Sequence, residues 1–125
     1  MPVSKGTVLI VDDERPLLDL LASYLTRLGY EVEACTSGEQ ALERFQNRPF
    51  GYALVVTDVR LPDLSGQDLV LKMTEMNGDL RVVVSSGIPI EPLQLPPGFS
   101  GKVRFLQKPF RVSELARAME AVLAG

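Results

Sequence analysis

Thr7-Val8-Leu9-Ile10-Val11-Asp12-Asp13-Glu14-Arg15-Pro16-Leu17-Leu18 is the stretch on which the fold turns. Its first five residues form an unbroken β-branched and apolar run, the composition of a strand buried on both faces. Charged residues follow, and then Leu17, Leu21, Leu25 and Leu28 recur at helical spacing, with Leu18 and Leu20 widening the stripe. Pro16 suits the first turn of that helix and Gly29 its end. A doubly buried strand followed at once by an amphipathic helix opens a β–α unit. Its acidic residues sit where the strand stops.

The unit repeats outward from there. Val32 to Cys35 reads as a short second strand, and Ser37 as the N-cap of a helix through Ala41, Leu42 and Phe45, closed by Asn47 and Pro49. Ala53 to Thr57 is a third buried strand. The loop Leu61-Pro62-Asp63-Leu64-Ser65-Gly66 leads to a helix marked by Leu69, Val70 and Met73. Arg81 to Ser85 is a fourth strand, Val103 to Gln107 a fifth, and Ser113 to Leu123 the last helix. Repeated β–α units require right-handed crossovers, hence a parallel sheet with helices on both faces. Five strands predict the flavodoxin-like doubly wound α/β fold, order 2-1-3-4-5. Only the segment from Gly87 to Gly101 breaks the alternation. It holds Pro89, Pro92, Pro96, Pro97 and Gly98, and each interior proline costs a helix about 3 kcal/mol. The fourth helix is therefore expected to be short, irregular or replaced by a proline-rich loop.

The chain's 125 residues suit one domain, 1–125, with Met1 to Gly6 a loose polar leader. Thirteen basic and sixteen acidic residues give a net charge of −3, and no basic stripe is present, which argues against direct nucleic-acid binding. Cys35 is the only cysteine and histidine is absent. That excludes a disulfide framework, a zinc ligand set and histidine-based catalysis within the chain. The apolar runs are strand-sized, so no membrane contact is expected and the setting is expected to be cytoplasmic.

In doubly wound sheets ligands bind beyond the carboxyl ends of the strands, where the strand order switches. Asp12, Asp58, Ser85 and Lys108 all fall at or just past such ends. Singly, each has an ordinary explanation. An Asp-Asp-Glu run caps a helix, an aspartate opens a turn, Lys108-Pro109 is a solvated strand end, and Phe105 is core. Their joint occurrence, each after its own strand, is far more specific.

On these residues the chain resembles a response-regulator receiver domain, the phosphoacceptor module of two-component signalling, along essentially its whole length. The family's acidic pair corresponds to Asp12 and Asp13, its phosphoacceptor to Asp58, and its Lys-Pro pair to Lys108-Pro109. Its switch hydroxyl corresponds to Ser85 and its switch aromatic to Phe105, while Ser86 is read as loop capping. The resemblance implies that Asp58 attacks a phosphohistidine and becomes an acyl phosphate. It further implies that Ser85 turns toward the phosphoryl group, that the ring of Phe105 swings inward, and that the backbone carbonyl of Arg60 completes a metal site. Mg²⁺ (or Mn²⁺) suits Asp12, Asp13 and Asp58, because a hard ion wants oxygen donors and crowded carboxylates need a cation to stay ionised. The Arg60 side chain either points to solvent or lines the phosphoryl entrance.

The donor implied is a histidine kinase or a histidine phosphotransfer domain. No output segment fits after the last helix, so a free-standing regulator or the receiver portion of a hybrid sensor histidine kinase is expected. The proline-rich segment argues for a monomer. Two other functions fit parts of the pattern: a pseudo-receiver that binds a partner without phosphate, and a Mg²⁺-dependent phosphohydrolase with an aspartyl nucleophile. Hydrolases of the latter kind that resemble the haloacid dehalogenase family carry Asp-x-Asp after the first strand, where this chain has adjacent Asp12-Asp13.

Overall fold

A computed structural model describes residues 5–87 and 102–124. Five strands, β1 (Thr7–Val11), β2 (Glu31–Cys35), β3 (Leu54–Asp58), β4 (Val82–Ser86) and β5 (Val103–Gln107), pair in parallel in the order β2-β1-β3-β4-β5. Helices α1 (Arg15–Arg27), α2 (Gly38–Asn47), α3 (Gly66–Met76) and α4 (Val112–Ala124) are those of the described residues. The expected strand order is thus the observed one. The irregular segment expected between strands four and five lies outside the described residues from 88 to 101. Of the expected leader, Lys5 and Gly6 are tied to the start of β2, through Lys5 N–H to the Gly29 carbonyl and Glu31 N–H to the Gly6 carbonyl, each at 3.0 Å.

All residues of β1, β3 and β4 are buried, as their apolar composition requires of strands covered on both sides. Side chains alternate between two packed layers. Leu9, Val11, Val55, Val82 and Val84 meet Ala41 and Phe45 of α2 and Leu69, Val70 and Met73 of α3. Val8, Ile10, Leu54, Val56, Val83 and Leu106 meet Leu18, Leu21 and Leu25 of α1 and Leu115, Met119 and Val122 of α4. The buried stripe of α1 therefore runs through Leu18, Leu21 and Leu25. Leu20, expected to widen it, is 56% exposed, because 100° per residue carries it to the helix's outer side.

Helix ends follow their chemistry. Pro16 stands in the first turn of α1, and Gly29 follows its C-cap at φ 102°. Ser37 caps α2 by accepting the Gln40 N–H at 3.2 Å, and the Gln40 side chain reaches back to the Thr36 N–H at 3.1 Å. Two strands are displaced by one residue from their expected spans. β3 includes Asp58, and β4 begins at Val82 and ends at Ser86.

Candidate functional site

The register delivers the charged residues to one edge. Val11 pairs with Cys35 and Thr57, Asp58 with Ser85, and Ser86 with Gln107. Beyond the last rungs, Asp12 N–H still bonds the Cys35 carbonyl at 3.1 Å and Lys108 N–H the Ser86 carbonyl at 2.7 Å. The two-residue period then sets direction. Asp12 follows Val8 and Ile10, Asp58 follows Leu54 and Val56, and Lys108 follows Leu106, all on the layer covered by α1 and α4. Three side chains from three strands so converge.

Lys108 is the centre. Its Nζ lies 2.8 Å from Asp12 Oδ2, 2.9 Å from Asp58 Oδ2 and 3.4 Å from Glu14 Oε1. The other oxygen of each buried aspartate is held by backbone. Glu14 N–H donates to Asp12 Oδ1 at 2.9 Å, and Arg60 N–H donates to Asp58 Oδ1 at 3.1 Å. Both aspartates are buried. One ammonium therefore faces a carboxylate oxygen each from Asp12, Glu14 and Asp58, and the three carboxylates bring one oxygen each within 4.8 Å of the others.

Burial pushes the Asp12 carboxyl above its ordinary pKa, while hydrogen bonds from Lys108 and the Glu14 N–H pull the other way. Burial alone would lower the Lys108 pKa, but hydrogen bonds to Asp12 and Asp58 outweigh it, and the ammonium is held above its ordinary value. Lys108 is thus permanently charged at neutral pH, yet a single positive charge leaves the cluster net negative. The donors are all oxygen, the preference of a hard divalent cation rather than a soft one. The residues present fit such an ion.

A cavity of about 310 Å³ opens on this cluster, lined by Asp13, Glu14, Asp58, Arg60, Ser86, Gly87 and Lys108. Asp13, expected in the acidic set, is exposed and reaches the site as part of this wall rather than through Lys108. Glu14 escaped the sequence reading. It is the N-cap residue of α1, but its side chain makes no capping bond and turns to Lys108 instead. Ser86 lines this cavity, while Ser85, the expected switch hydroxyl, is buried and pairs with Asp58 across the β3–β4 ladder. Ser85 follows Val83, on the same layer as Asp58. Phe105 is not among the buried residues. It lies on the edge strand β5, opposite Val84, and is 41% exposed. Beside the polar cavity, a second one of about 420 Å³ adds Leu17, Pro109 and Phe110 to Glu14, Gly87 and Lys108.

With the geometry in hand, the comparisons are specific. A sequence model of the response regulator receiver domain family matches residues 8–120. The DNA-binding transcriptional regulator NtrC of Azospirillum brasilense is 33% identical over 97% of this chain, which spans 25% of that protein. The response regulator receiver protein CpdR of Brucella abortus is 28% identical over 93% of this chain and 95% of its own length. A crystal structure of a response regulator receiver protein from Sinorhizobium medicae superposes with a TM-score of 0.84 at 28% identity, covering 96% of this chain and 95% of that one. A receiver domain from the hybrid histidine kinase CckA superposes with a TM-score of 0.78 at 29% identity, covering 94% and 99%.

Proposed function

We propose that this chain, which belongs to the response regulator receiver domain family, accepts a phosphoryl group on Asp58 from a phosphohistidine donor and acts as a phosphorylation-controlled switch. Receiver domains take phosphoryl groups from histidine kinases, and phosphorylation switching is general to the family. The observation that carries the assignment to Asp58 is the shared ammonium of Lys108, 2.9 Å from Asp58 Oδ2 and 2.8 Å from Asp12 Oδ2. It marks the spot where negative charge is gathered and met by a fixed cation.

In the reaction an Asp58 carboxylate oxygen attacks phosphorus and the P–N bond to the donor imidazole breaks. The electron pair leaves with the imidazole nitrogen, and Asp58 becomes an acyl phosphate. Such a transfer needs positioning and charge neutralisation more than covalent help. Lys108 moves from the carboxylate to a phosphoryl oxygen, and the Ser85 hydroxyl, on the residue paired with Asp58, turns to offer a further donor, with Ser86 in the cavity wall beside it. Asp12, Asp13, Asp58 and the Arg60 carbonyl would hold Mg²⁺ or Mn²⁺, which supplies neutralisation of the phosphoryl oxygens when bound. The apolar cavity walled by Leu17, Pro109 and Phe110 gives the donor imidazole's carrier a seat beside Lys108. The message then leaves through β4 and β5, with Phe105 the exposed aromatic nearest that route. The unit that does this is the single domain 1–125, fed by a histidine kinase or a histidine phosphotransfer domain.

The test is labelling with a small phosphodonor in the presence of Mg²⁺. The wild-type chain is expected to take up base-labile phosphate that hydroxylamine also releases, and Asp58→Asn to take up none. Undiminished labelling of the variant would sink the assignment. A wild-type chain that takes up no phosphate at all would favour an interaction module that works without it.

A further inference from the structure

The loop between β3 and α3 is bonded at its stem and nailed at its tip. At the stem, Val59 N–H meets the Ser85 carbonyl at 2.8 Å, Gly66 N–H meets the Val59 carbonyl at 2.7 Å, and Arg60 bridges Ser65 in antiparallel fashion. The backbone at Gly66 lies so close to the Asp58 carbonyl that a Cβ there would collide with it. At the tip, Asp63 reaches across to another element. Its Oδ1 accepts the Gly38 N–H at 2.9 Å and its Oδ2 the Glu39 N–H at 2.8 Å, the first two amides of α2. Leu64 presses on the same spot, 2.6 Å from where a Cβ on Gly38 would sit. Partial desolvation would raise the Asp63 pKa, but the N–H groups of Glu39 and Gly38 outweigh it and hold the carboxyl below its ordinary value. Asp63 is therefore ionised wherever the protein is folded near neutrality, and its bonds are of the stronger, charge-assisted kind.

Ser37 already caps α2 through Gln40 N–H. The helix has its own cap, so Asp63 adds a connection rather than an end. Arg60 is the last rung of the stem, three residues before the nailed tip. Its peptide N–H orients Asp58, and its carbonyl is the expected fourth oxygen for the cation. Fixing Asp63 on α2 removes the swing of the loop that would otherwise scatter that peptide group.

We propose that Asp63 is a positioning residue for the phosphoacceptor site, clamping the Arg60 peptide through α2, so that cation binding at Asp58 and the state of the α2 N-terminus are coupled. The proposal rests on the assignment of Asp58 above. Coupling of this kind is reciprocal. Loosening the clamp weakens the cation, and loading the site tightens the first turn of α2.

The experiment uses the full chain and two readouts. Mg²⁺ is titrated while the amide signals of Val59 and Arg60 are followed by NMR. Hydrogen exchange at Gly38 and Glu39 is then compared with and without Mg²⁺ plus beryllofluoride. Asp63→Asn keeps a side-chain oxygen for one of the two amides but turns an NH₂ toward the other. It is expected to bind Mg²⁺ roughly tenfold more weakly, the low end of what losing an outer partner of a metal ligand costs. Loading the wild type is expected to slow exchange at Gly38 and Glu39, and loading the variant to leave it unchanged. A thermal melt in chelator separates this from plain destabilisation, which shifts the melt without moving the Mg²⁺ affinity. Wild-type Mg²⁺ affinity in the variant overturns the proposal, as does unchanged exchange at Gly38 and Glu39 in a wild type whose Val59 and Arg60 respond. Silence of Val59 and Arg60 in the wild type overturns the Asp58 assignment itself.

Discussion

Among the described residues, two clusters on this sheet join three or more charged groups, and they are built to opposite accounts of charge. Around Lys108, one cation serves Asp12, Glu14 and Asp58, and the ammonium and both aspartates are nearly enclosed. Around Glu33 on β2, one carboxylate is served by Arg44 at 3.4 Å, Arg48 at 3.7 Å and the Tyr52 hydroxyl at 2.9 Å, with both arginines about half exposed. The Arg48 guanidinium also lies over the Tyr52 ring, which stacks on Phe45. The second cluster is satisfied without help and does a structural job, pinning α2 to the edge strand. The first is short of positive charge. An enclosed cluster that its own side chains leave unbalanced is a request for a ligand, and that imbalance separates the functional site from the structural one.

Asp58→Asn gives the largest effect, since it removes the proposed nucleophile. Phosphate uptake is expected to fall to background, while the Glu33 cluster and the fold remain. Next comes Lys108→Met, which leaves the carboxylates without their cation. Removing one partner of an enclosed pair is expected to cost about 3 kcal/mol in chelator. Mg²⁺ should then raise the melting temperature of the variant more than that of the wild type. A variant that melts at the wild-type temperature in chelator would break the contrast drawn here.

Tyr52 carries the pH test of the other cluster. Burial and the hydrogen bond to Glu33 push its phenol up to about 12. The folded chain keeps that proton where an unfolded tyrosine, near 10, has lost it. The stabilisation is therefore complete below about pH 10 and is lost as pH rises toward 12, on the order of 3 kcal/mol for a shift of this size. Unfolding of Tyr52→Phe, followed by denaturant titration at stepped pH, should show a shallower loss over that window. Equal slopes would mean that the Glu33 bond is not formed in solution. Smallest is Arg44→Ala, where an exposed and screened ion pair predicts less than about 0.5 kcal/mol.

The strand order and most of the site were legible because they rest on period and spacing. The Thr7 to Val11 run, the α1 leucines and the Ser37 cap each carry a local signal that tertiary packing merely completes. Asp12, Asp58 and Lys108 were legible because a parallel sheet leaves no other edge for residues that follow strands. The one-residue displacement of β4 came from a boundary: Arg81 reads as well as a strand start as Val82 does, and Ser86 was left outside the strand. Glu14 was hidden by its position, since an acid at a helix start is usually spent on the helix. Asp63 had no sequence signal at all, because its partners Gly38 and Glu39 are backbone amides brought near by folding alone. Phe105 looks like core on composition, and only its place on an edge strand exposes it.

Asp12 and Lys108, whose side chains meet at 2.8 Å, are 96 residues apart in the chain. During synthesis at ~5–20 residues per second, Asp12 leaves the ribosome about 5–20 s before its cation does. Through that interval the nascent segment holds its acids without the lysine, and β5 has yet to join the sheet. The cluster therefore comes into being only after β5 has been made, and a nascent segment that stops short of Lys108 holds its acids unmatched.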